Sequence, residues 1–463
     1  MKNGITYKDL FFSFGEIISI LDLKINHYPN QHAELSVTVL LDAEMGDSLF
    51  YEMPQTVAIK YLAEEGEQIL FRGALTAHTM YREGEHRVLT MKMLDSTYWM
   101  DISRETRCFQ NLSMTSHQVI DQILSEYPSP DCLKNIPNEP IGELIYQYEE
   151  TDWEFLCRFL SKYSDSIYPG AIGDGIQIKA GLSLQAEDVE WDNNPFRMKM
   201  NLDRYRLLMK NGKEDLLQTD FISYIVTGYD VLPIGSQVTY GSAPWFISYL
   251  ERTLEGGILV SRYELTQKKG LTMMRKYNER IAGISVDGKV DAVSRDKIQV
   301  TLAEDRLQCK ESKYWFPYST VAASADGSGW YCMPEKGESI RIYFPTCVEA
   351  DAYGVTNIKG ESKGTPDVRS IRSPYGSQVK YKKDGILIET GSHGGYISLG
   401  KDGITTIKSK KGIVLSAGSE IRFEAPEIEV NSETEVNLKN DGGSDILITP
   451  DDVTLHGQEI YEN

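Results

Sequence analysis

The chain has 463 residues, about three times the usual domain length, which excludes a single small domain and leads us to expect two to four. It carries 48 Lys plus Arg against 68 Asp plus Glu, a formal net charge of -20, in a chain that is 41% hydrophobic and 10% aromatic. That is too apolar for a disordered acidic tail and of the wrong sign for a general phosphate-backbone binder, so no nucleic-acid partner is expected.

In the first thirty residues Glu16, Asp22 and Lys24 break up the apolar positions, so no Sec-type signal is expected, and no run approaches the roughly 18 apolar residues of a membrane span. The chain is expected to mature in the cytoplasm. Its six cysteines (Cys108, Cys132, Cys157, Cys309, Cys332 and Cys347) form no CxxC pair, so they are expected to be reduced.

From residue 5 to about 107, LDLKINHY, HAELSVTVLL, QTVAIKYLA, QILFRGALTAHTMY and HRVLTMKML alternate apolar and polar residues at the period of half-buried strands. The joints EEGEQ and REGEH have hairpin chemistry, and the whole predicts one β-barrel or curled sheet. Two helices follow. Thr115 is placed to cap Ser116–Glu126, with Val119, Ile120, Ile123 and Leu124 on one stripe. Thr151 and Glu154 make a capping box, Asp152 suits the first turn, and Phe155, Phe159 and Leu160 give the buried face. Strand patterning resumes near residue 175 and runs through FISYIVTGYDV and ISYLERTLEGGILVSRYEL. Residues 1–284 thus read as a β-barrel, an α-rich insertion at about 111–190, and a second β-barrel, too alternating for a doubly wound nucleotide fold.

Residues 285–350 hold GKVDAVSRDKIQVTLAE, YWFPYSTVAAS and ESIRIYFP, four or five short strands of a small closed OB-type barrel. The Gly-, Pro- and Ser-rich stretch 351–378 reads as a neck. Beyond it, residues 379–463 carry apolar dyads whose first members, from Ile397 through Ile404, Ile413, Ile421, Ile428, Val436, Ile446, Val453 and Ile460, step by a mean near eight residues. Each unit is one short strand and a polar turn, which cannot bury its apolar side alone. Eight residues is short for a complete coil from one chain, so several chains winding together are expected, three being the simplest closed arrangement. Twelve acidic residues against three basic ones (Lys411, Arg422 and Lys439) from Lys411 onward belong on the outer face and turns of that needle.

The order of these modules, with several local strings, resembles the VgrG spike family of type VI secretion and related contractile injection systems, equivalent to the hub and spike of contractile phage tails. YQYEETDWEFLCRFLSKYSD resembles the family's hub helix through Glu150, Asp152, Phe155, Leu156 and Arg158, while Phe159 stands where the family has Leu. Tyr277, Asn278, Gly283 and Gly288 resemble the passage into the barrel. The barrel itself is matched by Trp315, Trp330, Pro334, Gly337 and Phe344, and RSPYG by the neck motif. The resemblance implies a mainly β multidomain homotrimer whose hub caps an inner tube protein on a baseplate. It further implies that the C-terminal β-helix or β-prism needle punctures a target envelope on sheath contraction and helps deliver effectors. Assembly would be cytoplasmic, with export on contraction. A fused toxin or lysozyme domain is not expected, and a PAAR-like tip would be a separate partner.

No cofactor, metal or enzymatic activity is expected. The seven histidines, His27, His32, His78, His86, His117, His393 and His456, form no HExxH or ligand-spaced set, and GSGW and GSHGG lack a P-loop lysine. Glu149, Glu150, Asp152 and Glu154 could supply a glycosidase carboxylate pair, which makes a glycan- or cell-wall-degrading tail enzyme the alternative. Asp152 and Glu154 better suit a helix N-terminus, with Glu149 and Glu150 on its solvated approach.

Overall fold

Alternation in the first hundred residues places every second side chain on one face. The strands are β1 (Leu10–Phe12), β2 (Ser19–His27), β3 (Glu34–Leu41), β4 (Thr56–Ala63), β5 (Gly66–Glu83) and β6 (His86–Asp95), with a short helix α1 (Ser48–Glu52) between β3 and β4. Leu23, Ile25, Leu35, Val37, Val39, Val57, Ile59 and Met91 meet in one core beneath them. In the computed structural model, residues 4–42, 48–63, 66–191, 194–303, 305, 311–321, 329–356, 366–391 and 394–461 are described. They divide into two units, Met1–Ile358 and Lys359–Asn463.

Within the first unit the middle segment contains β7 (Arg104–Phe109), α2 (Ser116–Leu124), β8 (Asp131–Lys134), β9 (Ile145–Thr151), α3 (Asp152–Ser161), β10 (Ile167–Pro169) and β11 (Gln177–Ala180). Both helices begin where their caps predict. Thr115 and Gln118 form a reciprocal box on α2, and Thr151 and Glu154 form one on α3. Their apolar stripes share a core in which Phe109 stacks on Phe155 at 5.4 Å.

Next come β12 (Ala186–Glu187), β13 (Phe196–Met200), α4 (Leu202–Lys210), β14 (Ile222–Gly228), β15 (Gln237–Tyr240), β16 (Ala243–Glu255) and β17 (Ile258–Thr266). Strand β2 pairs with β16, so the two strand-rich parts form a single 12-stranded sheet with the path β1-β4-β5-β6-β3-β2-β16-β17-β14-β13. Helix α4 was not expected. Asn201 caps it by accepting from the Arg204 amide, but no acidic or amide side chain completes a box, and Leu208 is its one buried residue, so the sequence offers little stripe to read.

The barrel contains β18 (Ser285–Ser294), β19 (Lys297–Leu302), β20 (Phe316–Pro317), β21 (Ser339–Tyr343) and β22 (Tyr353–Thr356), in the order β20-β19-β18-β21-β22. A parallel bridge between Tyr318 and Gly354, with Ser319 N donating to Gly354 O at 2.8 Å, joins the two ends. The sheet therefore closes on itself, as in an OB barrel. The sheet runs past residue 350, and β20 is far shorter than the predicted third strand, of which residues 322–324 lie outside the described residues.

The second unit is an antiparallel meander of β23 (Arg369–Arg372), β24 (Ser377–Lys382), β25 (Gly385–Thr390), β26 (Tyr396–Gly400) and β27 (Thr405–Lys408), and a hairpin pair of β28 (Val436–Lys439), β29 (Asp445–Ile448) and β30 (Val453–His456). The RSPYG motif is the turn between β23 and β24, with Gly376 at φ 92°. The predicted strand units at Ile413, Ile421 and Ile428 have no ladder partner within the chain among the described residues.

Candidate functional site

Helix α3 carries an arginine in the middle of a buried face, and the surrounding carboxylates follow from that. Arg158 lies between Cys157 and Phe159, and its guanidinium is 8% exposed. A buried guanidinium is tolerated only when paired and hydrogen-bonded. Its Nε donates to Glu150 Oε1 at 2.8 Å and its Nη2 to Glu150 Oε2 at 2.7 Å, a two-pronged pair. Nη1 donates to Glu349 Oε1 at 2.7 Å, 191 residues away in the barrel module, and Nη2 also donates to Tyr146 O at 3.0 Å. Glu150 is thus buried, not on a solvated approach as expected; only Glu149 of that pair is exposed. Burial pushes the Glu150 carboxyl up, against the pull of Arg158.

Asp152 also does more than favour a helix N-terminus. Its Oδ1 accepts from Arg107 Nη1 at 2.5 Å and Gln147 Nε2 at 2.8 Å, and its Oδ2 accepts from the Tyr127 hydroxyl at 2.8 Å. Arg107, 1% exposed, reaches on to Glu126 at 2.6 Å. Strands β7 and β9, helix α3 and the turn that follows α2 are thereby tied through one aspartate. Burial works against ionising Glu154, yet two contacts from Arg280 at 3.0 Å, with the Thr151 amide and Arg104, hold its carboxyl below the ordinary range.

Phe344 is fully buried and stacks on Tyr146 of β9 at 5.3 Å. Cys108, Leu144 and Tyr146 of the hub share a core with Val290, Ile298, Val300, Ile340 and Ile342 of the barrel. The structure therefore brings Arg158 close to Phe344, with Tyr146 as the link, while Phe155 and Leu156 pack in the separate core under α2 and α3 and Asp152 bonds Arg107, Gln147 and Tyr127. Pro334 is buried at a turn whose Gly337, at φ 90°, donates to Val290 O at 2.8 Å; Trp315 is half-buried and Trp330 exposed. Asn278 is buried, its Nδ2 donating to Tyr148 O at 2.7 Å, while Tyr277 is exposed beneath the Arg275 guanidinium. Arg107, Tyr146, Gln147 and Glu349 were missed from the sequence. The one available signal was Arg158 itself, a cation flanked by Leu156, Cys157, Phe159 and Leu160 that requires buried carboxylates.

The supposed glycosidase pair is spoken for. Both Glu150 oxygens hold Arg158 and both Asp152 oxygens hold buried donors, leaving neither free to serve a substrate. Among the described residues no group of three or more His, Cys, Asp or Glu is placed to hold a metal ion. His456 Nδ1 lies 3.3 Å from Asp445 Oδ1, and His393 and Cys309 lie outside the described residues.

In the second unit, register collects the apolar dyads. Val436 faces Ile448, Leu438 faces Ile446, Ile446 faces Leu455 and Ile448 faces Val453. Likewise Val379 faces Ile388, Ile388 faces Ile397, Ile386 faces Leu399 and Ile397 faces Ile407. Directly paired residues share a sheet face, so each sheet gathers these residues on one side, while Leu387, paired with Ser398, and Leu447, paired with Asn437 and Thr454, lie on the other. That side is open. No described residue from 366 to 461 is buried, and Ile404, Ile413, Ile421, Ile428, Ile446 and Val453 are 63%, 52%, 48%, 57%, 40% and 67% exposed, with Val436 half-buried.

Residues 33–165 match the family model of the phage tail baseplate hub (GPD). The match spans Arg107, Gln147, Glu150, Asp152 and Arg158, the hub side of the buried ion pairs. Comparison with curated proteins finds no match to this sequence. Among solved structures, the hub fold is shared with the E. coli c3393 protein, a type VI secretion component similar to T4 bacteriophage tail proteins gp27 and gp5. That likeness has TM-score 0.51 at 12% identity and covers 74% of this chain and 98% of that one. The Francisella PdpA–VgrG complex in its lidded form matches at TM-score 0.54 and 8% identity, over 85% of this chain and 76% of that one. The resemblance to VgrG-like hub-and-spike proteins therefore rests on a sequence match in the hub and on a shared multidomain β-fold.

Proposed function

We propose that the chain is the hub-and-spike subunit of a contractile injection machine, acting as a homotrimer by mechanics, without turnover. The observation that carries this reading is the uncovered apolar face of the second unit. A unit in which no described residue is buried has little to offset the entropy of ordering it, unless other chains cover that face. Three copies turned toward a common axis would give a three-sided prism with a continuous apolar interior and acidic turns outside. Such a rod has few free edges and resists bending.

In this reading the hub caps an inner tube protein within a baseplate and the needle is driven through a target envelope, carrying effectors and a separate PAAR-like tip. Assembly takes place in the cytoplasm and export on contraction. The buried ion pairs at Arg107 and Arg158 suit a hub and barrel that must transmit axial load without shearing. Electron microscopy of the purified chain with its tube protein tests the proposal. Rings of the chain seated at one end of each tube, with rods pointing away, are expected. Tubes left bare, or release of soluble fragments from peptidoglycan by the purified chain, would contradict it.

A further inference from the structure

A second cleft, of about 400 Å³, opens between the turn after β2, strand β10, the start of α4 and strands β14, β16 and β17. The hub function uses none of its groups. Its floor is a row of hydroxyls: Ser223 Oγ lies 2.9 Å from Thr266 Oγ1, which lies 2.8 Å from Ser248 Oγ, and Ser248 donates to Glu264 O at 3.0 Å. The last bond fixes the direction of the others, Ser223 to Thr266 to Ser248, because each hydroxyl has a single proton.

The wall is cationic in a chain of net charge -20. Arg204 spends Nε and Nη2 on the carbonyls of Gly270, Leu271 and Thr272, and among the described residues no carboxylate pairs with it or with Lys276. The one carboxylate in the lining, Glu264, is taken by Lys199 at 2.5 Å. Tyr168 supplies a second, independent sign of a missing ligand. It is 1% exposed, and its hydroxyl has no hydrogen-bond partner. Its ring is held in place by Gly235, where an added Cβ would sit 2.6 Å from Tyr168 Cγ. An unpartnered buried hydroxyl is a stability penalty that a ligand acceptor would relieve. The Tyr28 and Tyr249 rings, stacked at 4.4 Å, with Leu271 and Met273, add apolar surface beside the cations.

We propose that this cleft binds a carboxylate, that of a peptide C-terminus with an apolar last residue. Arg204 and Lys276 face its charge, the Tyr168 hydroxyl donates to it, and the Tyr28–Tyr249 pair flanks the side chain. The test titrates the full chain with a tripeptide ending in free leucine, with the same peptide amidated, and with inorganic phosphate, following heat of binding up to about 10 mM. The free acid is expected to bind at least about tenfold more tightly than the amide and than phosphate. Tyr168→Phe keeps the ring against Gly235 while removing an unpaired hydroxyl, and Lys276→Ala removes only an exposed charge, so each should weaken binding of the acid about fivefold or more without lowering the melting temperature of the free chain. Equal binding of acid and amide, phosphate binding without peptide binding, no saturable binding, or wild-type affinity in both variants would each overturn the proposal.

Discussion

Arg158 is held between two carboxylates from different parts of the chain, and its loss leaves both of them buried without a cation. Arg158→Met should therefore cost about 3–5 kcal/mol in chemical denaturation, whereas adding Glu150→Gln and Glu349→Gln should recover much of that loss. A triple variant as unstable as the single one would show that the pairs are not coupled. Two other buried groups predict a pH response of stability. His27 has both ring nitrogens unpartnered and is pushed down to about 3 by burial and the nearby Arg252 charge. Between about 3 and 6.5 the unfolded chain binds the extra proton, so His27 makes stability fall as pH drops through that window. Asp95 has Oδ2 unpartnered, with Thr97 on Oδ1 and His32 Nδ1 3.9 Å away, and burial pushes it up to about 7. Between 3.8 and about 7 the folded state holds its proton more tightly, so Asp95 makes stability fall as pH rises. The two oppose one another where the windows overlap. His27→Leu should flatten the acid-side loss and Asp95→Asn should steepen it, each by up to about 1.4 kcal/mol per pH unit, read from urea unfolding at a series of pH values. Identical pH profiles for wild type and both variants would refute the assignment. At this scale the sequence was only partly legible: capping boxes are local and were readable, whereas the Arg158–Glu349 pair spans 191 residues and leaves no periodic trace.

At the scale of elements, strands β2 to β6 and helices α2 and α3 could be read because each follows a single period with punctuated ends. Helix α4 escaped for want of a stripe, and β20 came out short because Tyr318 leaves the ladder with β19 to make the parallel bridge to Gly354 that closes the barrel. The α3 cap gives a direct check on element stability. Thr151→Ala removes the acceptor of the Glu154 amide and a hydroxyl that also donates to Asp101, so the hub should lose about 1–2 kcal/mol by thermal or chemical unfolding. Thr151→Ser, which keeps the oxygen, should lose little; an equal loss from both substitutions would place the effect in methyl packing.

At the scale of the whole molecule, the dyads at Ile397, Val436, Ile446 and Val453 fall on strands, whereas those at Ile413, Ile421 and Ile428 do not, because among the described residues no neighbouring segment of the same chain offers them a ladder. Ile428→Asp would set like charges together in an apolar interior shared by the copies, at a cost of several kcal/mol. Thr434→Asp, on an acidic outer turn, should change stability by about 0.5 kcal/mol or less. Equal melting temperatures for these two variants would contradict the assigned inward face. Truncation at Lys380 should likewise strip much of the thermal resistance from the assembly. The most direct measurement is the solution mass of the full chain by light scattering coupled to size exclusion. The account predicts one species at three times the chain mass, and a monodisperse monomer would contradict it.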